Sequence, residues 1–173
     1  CRADSSWVWL YESDLSALGD IRMILFVDFD GVLHPQNKGA VFTCTSVLWK
    51  VLRLHPKLRV VISSSWRWDR TLGNMKRLMT ANGGEDLADR IIGATPKLRH
   101  TFYANSRQME CEAWLKSNGL SDMPWLALDD KPELFEPGSV HLYLVDPRLG
   151  LTNADVAGIS RGIGGSQEVV VND

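Results

Sequence analysis

No stretch of the 173-residue sequence approaches the roughly 18 to 20 consecutive apolar residues of a membrane-spanning helix, so a transmembrane chain is not expected. Cysteine is scarce: Cys1, Cys44 and Cys111 form no CxxC pair and no ligand-like spacing, which speaks against structural zinc. No activating partner marks a catalytic cysteine, so Cys44 and Cys111 read as small buried hydrophobes. Residues 1–22 show no basic-then-apolar signal pattern. Together with the odd cysteine count this points to reduced thiols and a cytoplasmic location. Internal repeats and low-complexity tracts are lacking. Net charge is only −2, which excludes neither a folded core nor most partners but does not suggest a strongly basic nucleic-acid binder. With 45% hydrophobic and 23% charged residues, the composition is that of one globular domain with a core of its own.

The small net charge hides a segregation. Residues 1–49 carry net −3, residues 50–107 net +8, and residues 108–173 net −7. A basic middle between acidic flanks suits a phosphate site opposite metal-holding carboxylates, and surface charges also cluster by chance.

Regular patterning begins at Met23, and residues 1–22 read as an N-terminal extension to a single domain over 23–173. Met23–Val27 is a continuous apolar run, as expected of a strand buried on both faces. A helix capped by Ser46 is expected to reach Leu54, before Pro56. Strands are expected at Leu58–Ile62, Ile91–Ile92, Trp125–Leu128 and Val140–Val145. Helices are expected over 70–81, 106–118 and near 153–160. Alternating strands and helices mean an α/β fold with a mainly parallel sheet.

In such sheets, ligands bind beyond the carboxyl ends of the strands. The first strand runs into Asp28-Phe29-Asp30-Gly31, two carboxylates two residues apart with a glycine for a sharp turn. Such a pair suits a hard divalent cation, and one member can serve as a nucleophile. The second strand ends in Ser63-Ser64-Ser65, donors suited to phosphate oxygens, and Trp125–Leu128 ends in Asp129-Asp130. Lys97 and Arg107 are cations able to neutralise a phosphoryl group. Each element alone is compatible with a turn, a cap or a polar loop; their joint order is not easily accidental.

FVDFDGVL, VVIS and LALDD, in that order, resemble the motifs of the haloacid dehalogenase (HAD) superfamily of phosphatases. The resemblance covers about residues 23–151. VDFDGVLHP, VISSSWR, RQMECEAWL, WLALDD and VDPRLGLT are similar to the HAD domain of bacterial RNA-repair ("Swiss Army Knife") proteins. The resemblance implies a Rossmann-like three-layer α/β/α sandwich. It implies Asp28 as nucleophile, Asp30 as general acid and then base, and Ser63, or Ser64 one residue on, as donor to the phosphoryl group. It also implies a Mg²⁺ site formed by Asp28, Asp30 through its carbonyl, Asp129 and Asp130. The family's third motif is usually a lysine near a helix start. Here Arg107 fits that motif by place, 22 residues before Asp129, and Lys97 fits by type, 32 residues before it; Arg107 is favoured.

Around these lie further candidates. Arg67, between Trp66 and Trp68, is expected to contact substrate, and the tryptophans suit either base stacking or the rim of the core. His34 follows the first motif and is a substrate-contact candidate or an ordinary loop histidine. Only 32 residues separate Asp30 from Ser63 and 43 separate Ser63 from Arg107, leaving no room for a large cap at either place. A capless member resembles those acting on bulky phosphate esters. The expected function is a Mg²⁺-dependent phosphomonoesterase, with phosphorylated RNA or DNA ends as candidate substrates and no membrane partner. Its alternatives are a small-molecule phosphatase such as a nucleotidase, or a non-catalytic RNA-binding module of a repair assembly.

Overall fold

The computed structural model describes residues 21–36, 39–98 and 104–165. Five strands, β1 (Met23–Val27), β2 (Leu58–Ile62), β3 (Ile91–Ala94), β4 (Trp125–Asp129) and β5 (Leu142–Leu144), form one parallel sheet in the order β3-β2-β1-β4-β5. Among the described residues four α-helices accompany it: α1 (Thr45–Leu54), α2 (Leu72–Thr80), α3 (Ser106–Ser117) and α4 (Asp155–Gly165). Short 3₁₀ turns lie at Ser65–Trp68, Glu85–Arg90 and Pro132–Leu134.

Side chains alternate across a strand, so a central strand must be apolar throughout, as all five residues of β1 are. Met23, Leu25 and Val27 join the core cluster that also holds Leu48 and Leu52 of α1, Met75 and Met79 of α2, and Ile159 and Ile163 of α4. Ile24 and Phe26 join the other cluster, with Cys111, Trp114 and Leu115 of α3. Phe26 meets Trp114 and Trp125 edge to face, with centroids 6.0 and 5.4 Å away. The expected three-layer α/β/α sandwich is therefore what this chain forms. Cys111 is fully buried and burial pushes its thiol pKa up, whereas Cys44 is only half-buried, with its Sγ directed to the Leu149 carbonyl. Cys1 lies outside the described residues, as does the expected N-terminal extension apart from Ile21 and Arg22. Ile21 is buried against the α3 side, and the Arg22 amide donates to the Lys57 carbonyl.

Several boundaries differ from expectation for local reasons. Ser46 is not a cap but an exposed residue inside α1; the helix starts at Thr45, whose hydroxyl donates to the Phe42 carbonyl. The start of α2 is set by Thr71, whose Oγ1 accepts from the Asn74 amide, leaving Arg70 outside. β5 shrinks to three residues because Val140 stands 85% exposed at a turn rather than in the sheet. α4 runs on to Gly165, held by Ile159 and Ile163 against the core. No described helix is long and apolar enough to cross a membrane.

The register sets up everything that follows. Val27 lies opposite both Ile62 and Leu128, so Asp28, Ser63 and Asp129 come level at the carboxyl edge. The ladder continues one step past the strands, with Ser63 N–H to Val27 O at 2.9 Å and Asp28 N–H to Leu128 O at 3.1 Å. The chain leaves β1 toward β2 on one side and later returns to β4 on the other. β1 and β4 thus flank the switch point where parallel sheets open a crevice. Among the described residues, only α1 stands between β1 and β2, and no cap is inserted there or between β2 and α3.

Candidate active site

Asp28 is the first residue beyond β1 and is 4% exposed. Its Oδ1 accepts the Phe29 amide at 2.7 Å, which fixes the carboxylate at the strand end. The backbone then turns back: the amides of Val32 and Leu33 donate to the Phe29 carbonyl at 3.1 and 2.8 Å, and Gly31 N–H to His34 O at 2.9 Å. Gly31 makes this possible twice over. Its φ of +77° is disfavoured for other residues, and a Cβ there would sit 2.7 Å from Asp130 Cγ.

Across the crevice, β4 delivers Asp129 and Asp130. One carboxylate oxygen from each of Asp28, Asp129 and Asp130 falls within 4.8 Å of the others, and all three residues are buried. Between them lies Arg107, in the first turn of α3. Its Nη1 donates to Asp129 Oδ2 at 3.0 Å and lies 3.4 Å from Asp28 Oδ2. Three carboxylates thus face one buried guanidinium, an excess of negative charge in a poorly solvated place. Burial and then the Asp28 charge push the Asp129 pKa up to about 7, against the pull of Arg107 and the Lys131 amide. Burial and Asp28 raise that of Asp130 as well. Gln36 Nε2 donates to Asp130 Oδ2 at 2.7 Å, leaving Oδ1 buried with no partner. A hard divalent cation fits this donor set: oxygen ligands only, a charge deficit, and an orphaned carboxylate oxygen.

Asp30 stands apart from the cluster, with its side chain 47% exposed. Trp66 Nε1–H donates to its Oδ2 at 2.8 Å, and His34 Nε2 lies 3.0 Å from Oδ1. At the end of β2, Ser63 is fully buried and its hydroxyl has no protein partner. Ser64 is equally buried, but its Oγ accepts the Trp66 amide at 3.5 Å and so caps the following 3₁₀ turn.

Two expected substrate contacts are turned inward, and a third lies away from the carboxylates. The Arg67 side chain is turned inward and only 5% exposed. It donates to the carbonyls of Ser63 and Ser64 at 3.2 and 2.6 Å and pairs with buried Glu110 of α3, so it braces the crevice floor rather than facing solvent. His34 is 4% exposed and committed to Asp30. Lys97 is exposed, with Nζ 4.2 Å above the Trp68 ring; Arg107, not Lys97, occupies the position between the carboxylates. Three contributors carried no sequence signal of their own. Gln36 is one polar residue in a loop, and Thr95, a buried unpartnered hydroxyl after β3, follows a strand too short to advertise its end. Glu110 stood out only as a charge three residues after Arg107 on a helix.

No curated protein and no solved structure matches the chain. A family model does, over residues 24–156, a span that holds every side chain of the crevice described above. The chain belongs to that family, the HAD domain in Swiss Army Knife RNA repair proteins.

Proposed function

We propose that this domain is a Mg²⁺-dependent phosphomonoesterase that works through an aspartyl-phosphate on Asp28 and acts on phosphorylated nucleic-acid ends. The observation that carries the reading is the juxtaposition of a buried, oriented Asp28 carboxylate with Arg107 and with the paired carboxylates of β4. An anionic nucleophile can approach an anionic ester only where the repulsion is offset. Arg107 offsets part of it. Asp28, Asp129 and Asp130, with the Asp30 carbonyl, would hold the Mg²⁺, whose bound charge would offset the rest.

The residues then divide the work. An Asp28 oxygen attacks phosphorus as the bond to the ester oxygen breaks, and Asp30 gives its proton to that departing oxygen. Asp30 next takes a proton from water, whose oxygen attacks phosphorus and breaks the bond to Asp28, releasing inorganic phosphate. The Ser63 hydroxyl, without a protein partner, is available to donate to a phosphoryl oxygen. That Asp30 is half-exposed while Asp28 is buried suits their roles: one must meet solvent and leaving group, the other must not meet water directly.

Three features support a polynucleotide over a free nucleotide. The family is described from RNA repair proteins. The described residues hold no cap over the crevice. Beside Asp30, the indoles of the 3₁₀ turn meet cations from the chain outside it: Arg70 lies 4.3 Å over Trp66, and Lys97 4.2 Å over Trp68, which is 40% exposed. Such pairs suit bases and backbone phosphates of a bound strand. The test is Mg²⁺-dependent phosphate release from 3′- and 5′-phosphorylated RNA and DNA oligonucleotides, compared with mononucleotides and p-nitrophenyl phosphate. Faster turnover of oligonucleotide ends is expected. Preference for mononucleotides would shift the reading to a nucleotidase, and tight RNA binding without turnover on any ester would overturn catalysis.

A further inference from the structure

We infer that Trp66 and His34 are positioning residues that clamp the Asp30 carboxyl group in the orientation required for proton transfer to the leaving group. The inference rests on the proposed role of Asp30 as general acid.

Asp30 has the problem common to a proton donor on a turn: it must be open to substrate, yet an exposed, unrestrained carboxyl group rotates. Here each oxygen has its own anchor. An indole N–H can only donate, so Trp66 Nε1 takes one acceptor position on Oδ2, at 2.8 Å. His34 Nε2 holds Oδ1 at 3.0 Å while the ring's other nitrogen is buried with no partner. Two anchors on two oxygens fix the plane of the carboxyl group and leave its exposed side for the ester.

The anchors are themselves immobilised. Phe29 and Phe42 pack edge to face on Trp66, with centroids 5.6 and 5.4 Å away, and Phe42 packs on His34 at 5.7 Å. Phe42 does so from a φ of +58°, a conformation a bulky residue adopts only where its surroundings over-determine it. The Trp66 backbone is fixed in turn by Ser64 Oγ. An aromatic box assembled from the turn after β1, the approach to α1 and the turn after β2 therefore converges on one half-exposed carboxyl group. A hydrophobic core alone does not require an indole N–H and an imidazole to meet there.

A general acid matters most when the leaving oxygen is a poor leaving group, so the clamp predicts a dependence on the ester rather than a uniform loss. The experiment measures kcat/KM for β-glycerol phosphate (unactivated) and p-nitrophenyl phosphate (activated) with the same enzyme sample, so that the folded fraction cancels in the ratio. Asp30→Asn should lose about 10²- to 10⁴-fold on the first ester and under about tenfold on the second. Trp66→Phe should show the same asymmetry at smaller amplitude, about 10- to 100-fold against under about threefold, the size of one lost charge-assisted hydrogen bond. His34→Leu should follow Trp66→Phe, and His34→Gln, whose amide nitrogen reaches the place of Nε2, should recover most of the loss. In ¹⁵N spectra of the same protein, the Trp66 indole N–H resonance should move in Asp30→Asn. Equal losses on both esters in Trp66→Phe, or an unmoved indole resonance, would overturn the clamp while Asp30→Asn still discriminates and the function stands. If Asp30→Asn itself fails to discriminate, the general-acid assignment falls and takes the clamp with it.

Discussion

Magnesium should stabilise this protein, and by several-fold more at pH 8 than at pH 5.5. The reason lies in Asp129, whose carboxyl group is pushed up to about 7 by burial and by the neighbouring Asp28 charge. In the metal-free fold that group keeps a proton that the unfolded chain gives up near the ordinary carboxylate value. The folded state therefore binds more protons than the unfolded one between about pH 4 and 7, and stability falls as pH rises across that window. A divalent cation must displace the same proton. At pH 5.5 about 97% of Asp129 would carry it, weakening apparent affinity about thirtyfold relative to pH 8, or about 2 kcal/mol. Magnesium at about 100 times its dissociation constant at pH 8 adds about 2.7 kcal/mol. For a chain of this size that is a Tm rise of about 5–10 °C. The same concentration at pH 5.5 exceeds the weakened constant only about threefold and adds about 1 kcal/mol, or about 2–4 °C. Thermal unfolding followed by circular dichroism, with and without Mg²⁺ at both pH values, reads this directly. Asp129→Asn should remove the difference. No shift at pH 8, or equal shifts at the two pH values, would refute the reasoning.

Other perturbations separate chemistry from architecture. Asp28→Asn should abolish phosphate release in a malachite-green assay while holding Tm within about 3 °C, because it removes a nucleophile and a buried like charge together; retained turnover would refute the nucleophile. Gly31→Ala should destabilise by about 1–3 kcal/mol in urea and blunt the Mg²⁺ shift, since its φ of +77° and the approach to Asp130 leave no room for a Cβ; an unchanged Mg²⁺ shift would mean that Asp130 need not be held there. Arg67→Met should cost about 3–5 kcal/mol by leaving Glu110 charged, buried and unpaired, and Arg67→Met with Glu110→Leu should recover much of it. If Arg67→Met instead left stability intact and weakened only substrate binding, the side chain would be a substrate contact after all. Arg107→Lys should retain more activity than Arg107→Ala in the same assay, because the single Nη1 atom makes both the Asp28 and the Asp129 contact and a point charge near that place still offsets the carboxylates.

The parts of this molecule that were legible beforehand are those where backbone and burial decide. A run such as Met23–Val27 fits a strand buried on both faces, and once the strands are set, parallel pairing brings Asp28, Ser63 and Asp129 into one row. Side-chain direction was not legible. Arg67 and Lys97 were both cations near the second and third motifs. The structure turns the first inward against Glu110 and leaves the second outside on Trp68. Nothing in local sequence distinguishes them, because the partner that decides Arg67 lies 43 residues away on another element. Edges were equally opaque: β5 and Val140 share an apolar pattern, but only tertiary contact settles which residues join a sheet at its margin. Trp66 showed in the sequence as an aromatic beside a cation; its bond to Asp30 depends on two turns meeting in space.

The strand order also carries a consequence for how the molecule comes into being. β1 lies in the middle of the sheet yet is the earliest of the five strands, and Trp125, which opens β4, follows Val27 by 98 positions. During synthesis one edge of β1 finds β2 early, while the other must wait for β4. For that interval a fully apolar strand offers an unpaired ladder to any other chain nearby. The long separation also makes the closing pair a non-local, slow step. Because Asp28 directly follows β1 and Asp129 ends β4, the fold completes its sheet and assembles its acidic crevice in the same event. A partly made chain is therefore both the form most prone to aggregation and one that still lacks the acidic crevice.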